Sequence, residues 1–213
     1  MKKNIAFIIM IFVILLIPII SNAEDLDTKK ILKGSEAQEY AAMNNIPLTR
    51  NNIKLYEITV VDSEDSNSVP SNSIFGTSNY TAQGVVKTKV YTKQTSTSFI
   101  GGREVLDSAE GYGPIRLTVT VSQSVSATFS STIGINAEVV STGMGFSVTK
   151  TYTVADSGII DVPAKKYGLL EAHTKYKVYN FDIMQGYLIG EDKKIGTGQA
   201  LKPSGVIFAS YME

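Results

Sequence analysis

From Ile115 the odd positions run Ile115, Leu117, Val119, Val121, Gln123, Val125, Ala127, Phe129, Ser131, Ile133, Ile135, Ala137 and Val139, and most are apolar. The even positions between them are Arg116, Thr118, Thr120, Ser122, Ser124, Ser126, Thr128, Ser130, Thr132, Gly134, Asn136 and Glu138, nearly all small and polar. Alternate residues of an extended chain point to opposite faces, so this stretch predicts one amphipathic β ribbon. Its length of about 25 residues is several times that of an ordinary strand, and unbroken it would reach about 80 Å. A compact domain of this size has a radius of gyration of about 16–17 Å, so the ribbon is bent or broken, or the molecule is elongated.

The alternation changes parity through Val140-Ser141-Thr142-Gly143, and the apolar set moves to Met144, Phe146, Val148, Tyr152 and Val154. Directly opposed antiparallel residues share a face. A tight turn at 141–143 therefore predicts the pairs Val139 with Met144, Ala137 with Phe146 and Ile135 with Val148, with Gly143 supplying a positive φ.

The rest of the chain divides in the same way. A capping-box pattern at Ser35-Glu36-Ala37-Gln38 predicts a short helix to about Met43, ended by Asn44-Asn45 and Pro47. Strand character follows at 53–61, 85–100, 115–139, 144–154, 167–183, 187–189, 195–201 and 206–211. Turn material separates these runs: 62–72, Gly101-Gly102, Gly111-Tyr112-Gly113-Pro114, Pro163-Ala164-Lys165-Lys166, Gly190-Glu191-Asp192 and Lys202-Pro203-Ser204-Gly205. The expected fold is all-β, an elongated antiparallel sheet or sandwich with a short N-terminal helix. No repeat of fixed period and no break in composition marks a second domain.

The first segment changes where this domain is expected to act. Lys2 and Lys3 precede an apolar run from Ile5 to Ile20, closed by Ser21-Asn22-Ala23, which has the form of a secretory signal peptide over 1–23. Its roughly 16 apolar residues would make about 24 Å of helix, short of the roughly 30 Å hydrocarbon core. Residues 24–213 are then a single secreted, extracellular β-rich domain with 18 basic and 20 acidic residues. Near-zero net charge argues against nucleic acid as a partner. Zero Cys removes disulfides and thiolate chemistry, and fits export from a Gram-positive cell.

A polar face built almost wholly of Ser and Thr needs an account, since Glu138 is the only charged residue from Leu117 to Thr149. In one reading the ribbon belongs to a soluble sandwich and its hydroxyl face meets water. In the other, residues 127–154 form a hairpin able to enter a bilayer within an oligomeric barrel, small polar residues facing the lumen and apolar ones facing lipid. Val139, Val140, Met144 and Phe146 would then be the leading tip, with Phe129 and Tyr152 as an aromatic girdle. Lys150 falls on the apolar parity but away from the turn, where a lipid-facing lysine costs about 0–1 kcal/mol rather than the 2–4 of the midplane.

The block from Leu117 to Val154, followed by Ile160-Asp161-Val162-Pro163-Ala164-Lys165-Lys166 and the run to Ile183, resembles the pore-domain region of aerolysin-like β-pore-forming toxins, in particular the epsilon-toxin and mosquitocidal-toxin branch. The resemblance covers about 70 residues. It implies a long Ser/Thr-rich sheet carrying an insertion hairpin, with membrane lipid and further copies of the chain as partners. Gly111-Tyr112-Gly113-Pro114, Gly143-Met144-Gly145-Phe146, Tyr179-Asn180-Phe181-Asp182 and the Leu201-to-Val206 run are similar to those of small secreted Gram-positive proteins of uncharacterised function.

Other constellations point to weaker chemistry. Lys87, Lys89 and Lys93 share a strand parity with Tyr91, and His173, Lys175 and Lys177 share one with Tyr179, so both sets are candidate faces for an anionic surface. They support the alternative of a monomeric β-sandwich that binds cell-wall polymer or carbohydrate. Asp62, Glu64, Asp65 and Asn67 crowd one loop and read as a solvated turn rather than a metal site. Ser147 and Lys150 match an S-x-x-K pattern that requires a helix, and on a strand they point apart. His173 reads as a surface histidine with no nucleophile motif to serve. No catalytic residue, cofactor or metal is expected, and the chain reads as a non-enzyme.

Overall fold

The computed structural model describes residues 29–62 and 86–213. The signal-peptide segment 1–23 and the loop carrying Glu64, Asp65 and Asn67 lie outside the described residues. In chain order the elements are β1 (Lys30–Lys33), α1 (Gly34–Met43), β2 (Thr49–Arg50), β3 (Ile53–Asp62), β4 (Lys87–Tyr112), β5 (Ile115–Ser126), β6 (Thr128–Ser131), α2 (Ala137–Met144), β7 (Thr151–Val162), β8 (Tyr167–Tyr187) and β9 (Lys193–Met212). The fold is all-β and antiparallel, with one sheet in the order β1-β3-β9-β8-β4 and a second of β5 and β7 alone. Two short strands extend the first sheet, β2 beside β3 and β6 beside β9.

The sheet is built on three long strands of 26, 21 and 20 residues, β4, β8 and β9. At about 3.3 Å per residue, β8 spans about 70 Å. The length arises because two expected turns are absorbed into strands. Gly101-Gly102 lies inside β4, where the register shifts between Gly101 opposite Lys175 and Val105 opposite His173. Lys202-Pro203-Ser204-Gly205 lies inside β9, where a shift between Lys175 and Tyr176 of β8 takes up Ser204. Pro203 falls between Leu201, the residue of β9 nearest it that pairs with β6, and Gly205, which pairs with β3. Over that gap β9 has a partner on one side only, the kind of position where a sheet tolerates a residue without an N–H.

Period-2 alternation along β8 and β9 divides the near half of the sheet into two faces. Leu169, Ile207, Ala209 and Tyr211 point to one side and pack with Ala37 and Ala41 of α1. Their neighbours Leu170, Val206 and Phe208 point to the other and pack with β5 and β7. Helix α1 begins one residue before the expected capping box: Lys33 is the extended N-cap and no side chain caps the helix. Its small buried residues Ala37 and Ala41 lie one turn apart and let the helix approach the sheet closely. Farther along, Phe181, Ile183 and Ala200 form a third cluster with Val140, Met144 and Val148.

One polar group ties the near half together. Glu171 accepts a hydrogen bond from Arg50 Nε at 3.2 Å and lies 3.5 Å from His173 Nε2. His173 is 1% exposed, which corrects the expectation of a surface histidine: its strand is interior to the sheet and covered by α1 and its neighbours. Burial alone would raise the Glu171 carboxyl, but the close His173 ring and the hydrogen-bonded Arg50 guanidinium outweigh it and hold the pKa below the ordinary value. A carboxylate with a depressed folded pKa contributes stability above its unfolded pKa and loses it as pH falls through the folded one. Urea midpoints should therefore drop as pH is lowered below the unfolded glutamate pKa of about 4.3. Arg50→Ala should cost about 1–3 kcal/mol at neutral pH and shrink that drop, because the folded Glu171 carboxyl then rises toward its unfolded pKa. A pH profile parallel to that of the parent would refute this role for Arg50.

Candidate functional site: the β5–β7 ribbon

The ribbon runs from Ile115 to Val162 as β5, β6, α2 and β7. β5 and β7 pair in register without a bulge, from Ile115 opposite Val162 to Ser126 opposite Thr151. Their outer face carries Thr118, Thr120, Ser122, Ser124 and Ser126 from β5 and Thr151, Thr153, Ala155, Ser157 and Ile159 from β7, all exposed. At its open end Arg116 and Asp161 form a two-point exposed ion pair, with Nε–Oδ1 2.7 Å and Nη2–Oδ2 3.1 Å. The guanidinium lowers the Asp161 carboxyl, and that carboxylate raises Arg116 in turn.

The inner face is apolar. Leu117, Val119, Val121, Val154, Ile160 and Val162 are buried against Val61, Leu170, Ala172, Val206 and Phe208. A two-stranded hairpin is marginal by itself in water, so this burial holds it, at about 1.5–3 kcal/mol for each fully buried aliphatic side chain. Two positions break the pattern: Asp156 opposite Val121, and Gln123, which is exposed and donates from Nε2 to the Leu106 carbonyl at 2.9 Å. β5 and β7 share no backbone ladder with the large sheet. The ribbon's ladder to that sheet comprises four residue pairs between β6 and β9, Thr128–Leu201 to Ser131–Gly198, and is extended by Thr132 N donating to the Thr197 carbonyl at 2.9 Å.

The connection between β5 and β7 differs from the expected hairpin. The turn at 141–143 does not form, and the pairs Val139–Met144, Ala137–Phe146 and Ile135–Val148 are absent, because 137–144 is helical. The physical reason lies in the same residues that suggested the turn. Asn136 caps the helix by accepting from Glu138 N at 2.8 Å, and Gly145 ends it in the left-handed region at φ 74°. Val140 and Met144 then fall one turn apart on the buried side.

The expected tip is accordingly folded inward. Val140 and Met144 are buried, Val139 and Phe146 are half-buried, and the Phe146 ring meets Tyr179 at 4.8 Å between centroids. The expected girdle does not stand apart from the tip: Phe129 packs into the α2 cluster, and Tyr152 donates from its hydroxyl to the Ser147 carbonyl at 3.1 Å. Lys202, 5% exposed, lies over both the Phe146 ring and the Tyr152 ring, at 5.7 and 5.3 Å. It joins the connection to β9 through cation–π contact. Sequence reasoning missed Lys202, placing it in a surface turn.

The two basic strand faces have different fates. Lys87, Lys89 and Lys93 are exposed, while the Tyr91 hydroxyl donates to Asp192 at 2.6 Å and is raised by that bond. The second face is corrected. Lys175 is 6% exposed, paired with Asp62 and seated 4.4 Å from the Phe99 ring centroid. Lys177 is half-buried over Tyr179, whose ring is stacked on Phe146. β8 lies between β9 and β4, so these residues meet neighbouring elements rather than open solvent.

No protein-family model matches the chain, and no curated protein matches it. Among solved structures it is similar to one from Bacteroides vulgatus ATCC 8482 described as a "putative pore-forming toxin", with a TM-score of 0.26 and 5% identity. The likeness covers 58% of this chain and 54% of that one, so the chain spans about half the length of that structure. At that score the shared backbone is too slight to carry an argument about either fold or activity.

Gly158 of β7 marks a close approach between the hairpin and the sheet. A Cβ built there would lie 2.4 Å from the buried Phe208 ring, so only glycine admits that ring. Gly158→Val should lower stability by about 1–3 kcal/mol and raise amide exchange in β5 and β7 more than in β8 and β9. Equal acceleration in all four strands would show that the ribbon is not a separately held layer.

Proposed function

We propose that this is a secreted, non-enzymatic protein that oligomerises at a membrane and inserts its β5–β7 ribbon as a transmembrane hairpin. The observation that supports this reading is the attachment of an amphipathic hairpin to the sheet by side chains and one short stretch of backbone pairing, from Thr128 to Thr132. Lifting it away breaks few backbone hydrogen bonds, and the face it exposes is the one that lipid would accept. β5 and β7 supply 12 residues each, where a tilted transmembrane strand needs about 9–11.

Chemistry then sets which face goes where. The Ser and Thr side chains would line an aqueous lumen, while Leu117, Val119, Val121, Val154, Ile160 and Val162 would exchange contact with the sheet for contact with lipid. Asp156 is the one acid of β5 and β7 on that inner parity, and an acid on the lipid face costs less than a lysine at the same depth. A lone hairpin would leave the outer edges of both strands without hydrogen-bond partners in hydrocarbon, so closure by further copies of the chain is required. In the unrolled ribbon Val139, Val140, Met144 and Phe146 lead, and Phe129 and Tyr152 follow at the interface.

The absence of native cysteine makes a direct test possible. A Cβ on Gly143 would lie 3.0 Å from the Thr92 Cβ, close to the roughly 3.5–4.5 Å of a disulfide. The double variant Thr92→Cys/Gly143→Cys should, when oxidised, fasten α2 to β4. Dye release from liposomes should then fall to background and recover on reduction. Release by the oxidised form at the parent rate, or none by the parent from any lipid, would end this reading.

A further inference from the structure

We propose that the end of the long sheet formed by the β8–β9 turn is a docking surface for an anionic lipid headgroup layer; the inference rests on the membrane reading above and says where first contact is made. Leu188 and Ile189 stand at the tip of that turn, 50% and 84% exposed. Leu188 N donates to the Val86 carbonyl at 3.0 Å, which brings the start of β4 beside the tip. Val86 lies beside them and Ile195 a few residues into β9, each 40% exposed. Four aliphatic side chains are thus exposed toward one end of the molecule, and none of them belongs to the three clusters that form its core.

The charges around this tip are sorted. Asp192 is engaged internally, accepting from Tyr187 N at 3.1 Å and from the Tyr91 hydroxyl at 2.6 Å, and those bonds hold its carboxyl below the usual range. Lys194 pairs with Asp182 at 2.7 Å. Lys87, Lys89 and Lys193 are exposed on the neighbouring strand ends, against two carboxylates in the turn, Glu191 and the hydrogen-bonded Asp192. An aliphatic point within a cationic collar matches a bilayer surface, where apolar side chains enter the acyl boundary and lysines stay at the phosphates. A protein partner fits poorly, because a convex tip of four side chains falls short of the roughly 800 Å² per partner of a stable interface. The hydrogen bonds of Asp192 hold the turn in shape, so little ordering is needed on contact.

The test is sedimentation with phosphatidylcholine vesicles, with and without phosphatidylserine, at low and high salt. The protein should bind the phosphatidylserine vesicles more tightly, and salt should weaken that binding. Leu188→Ser/Ile189→Ser should lower partitioning about tenfold or more. Lys87→Ser/Lys89→Ser/Lys193→Ser should lower it by a similar factor at low salt and flatten the salt dependence. These side chains are exposed, so unchanged circular dichroism is expected in both variants. A second readout uses the cysteine-free background. An environment-sensitive dye on Ile189→Cys should shift to the blue with phosphatidylserine vesicles, while the same dye on Lys165→Cys, in the turn between β7 and β8, should not. The proposal is overturned by absence of sedimentation with either vesicle, by undiminished binding of the aliphatic variant, by equal binding to both lipids, or by equal shifts at both dye positions. Binding without dye release would leave docking standing and count against ribbon insertion. Release by a variant that no longer sediments would do the reverse.

Discussion

A backbone hydrogen-bond ladder and a layer of side-chain contacts resist separation differently, and this molecule uses them on two sides of the same strands. Within the large sheet, β8 is paired along nearly its whole length on both edges, to β4 and to β9. Opening either seam would expose many backbone groups at once, each strongly disfavoured unless water can replace its partner. β5 and β7 keep their ladder to themselves and meet the sheet through aliphatic side chains. Apolar contact is non-directional, so it can be exchanged for another apolar medium with little loss. The sheet is therefore the frame, and the β5–β7 pair is a layer held on it chiefly by side chains.

The connection between β5 and β7 refines that division. A helix packed on the far half of the sheet, a buried lysine over two aromatic rings, and four ladder pairs of β6 give the ribbon three separate fastenings. They differ in kind, and so in what loosens them: salt and charge act on the lysine, apolar solvent on the helix, and competing hydrogen-bond donors on β6. The residues that suggested a hairpin tip are here spent on the helix. A segment whose apolar positions satisfy period 2 over 127–139 and also place Val140 and Met144 one helical turn apart is compatible with two local structures.

Much of the fold was legible in the sequence. The alternation from Ile115 gave the faces correctly even where no strand forms: Ile133, Ile135 and Val139 are half-buried while Thr132 and Glu138 are exposed. Helix α1 was visible, although its capping box is not used. What stayed hidden was non-local. Gly101-Gly102 and Lys202-Pro203-Ser204-Gly205 read as turns because local propensity punctuates there, whereas neighbouring strands carry both through as irregularities in register. Lys175 reads as a solvated lysine, and only the fold brings Asp62 and the Phe99 ring to it. The exposed Leu188 and Ile189 carried a signal, an aliphatic pair beside turn residues, that strand-seeking took for the end of a run.

The strand order has a bearing on how such a chain is made. β3 and β8 are joined in the backbone ladder only by β9, which lies between them and is synthesised after both. Until β9 emerges, β1 and β3 have no seam with β8 and β4, and neither face of the near half is complete. Contacts this distant in sequence form slowly. A nascent chain of this kind cannot close its main sheet until nearly all of it has left the ribosome.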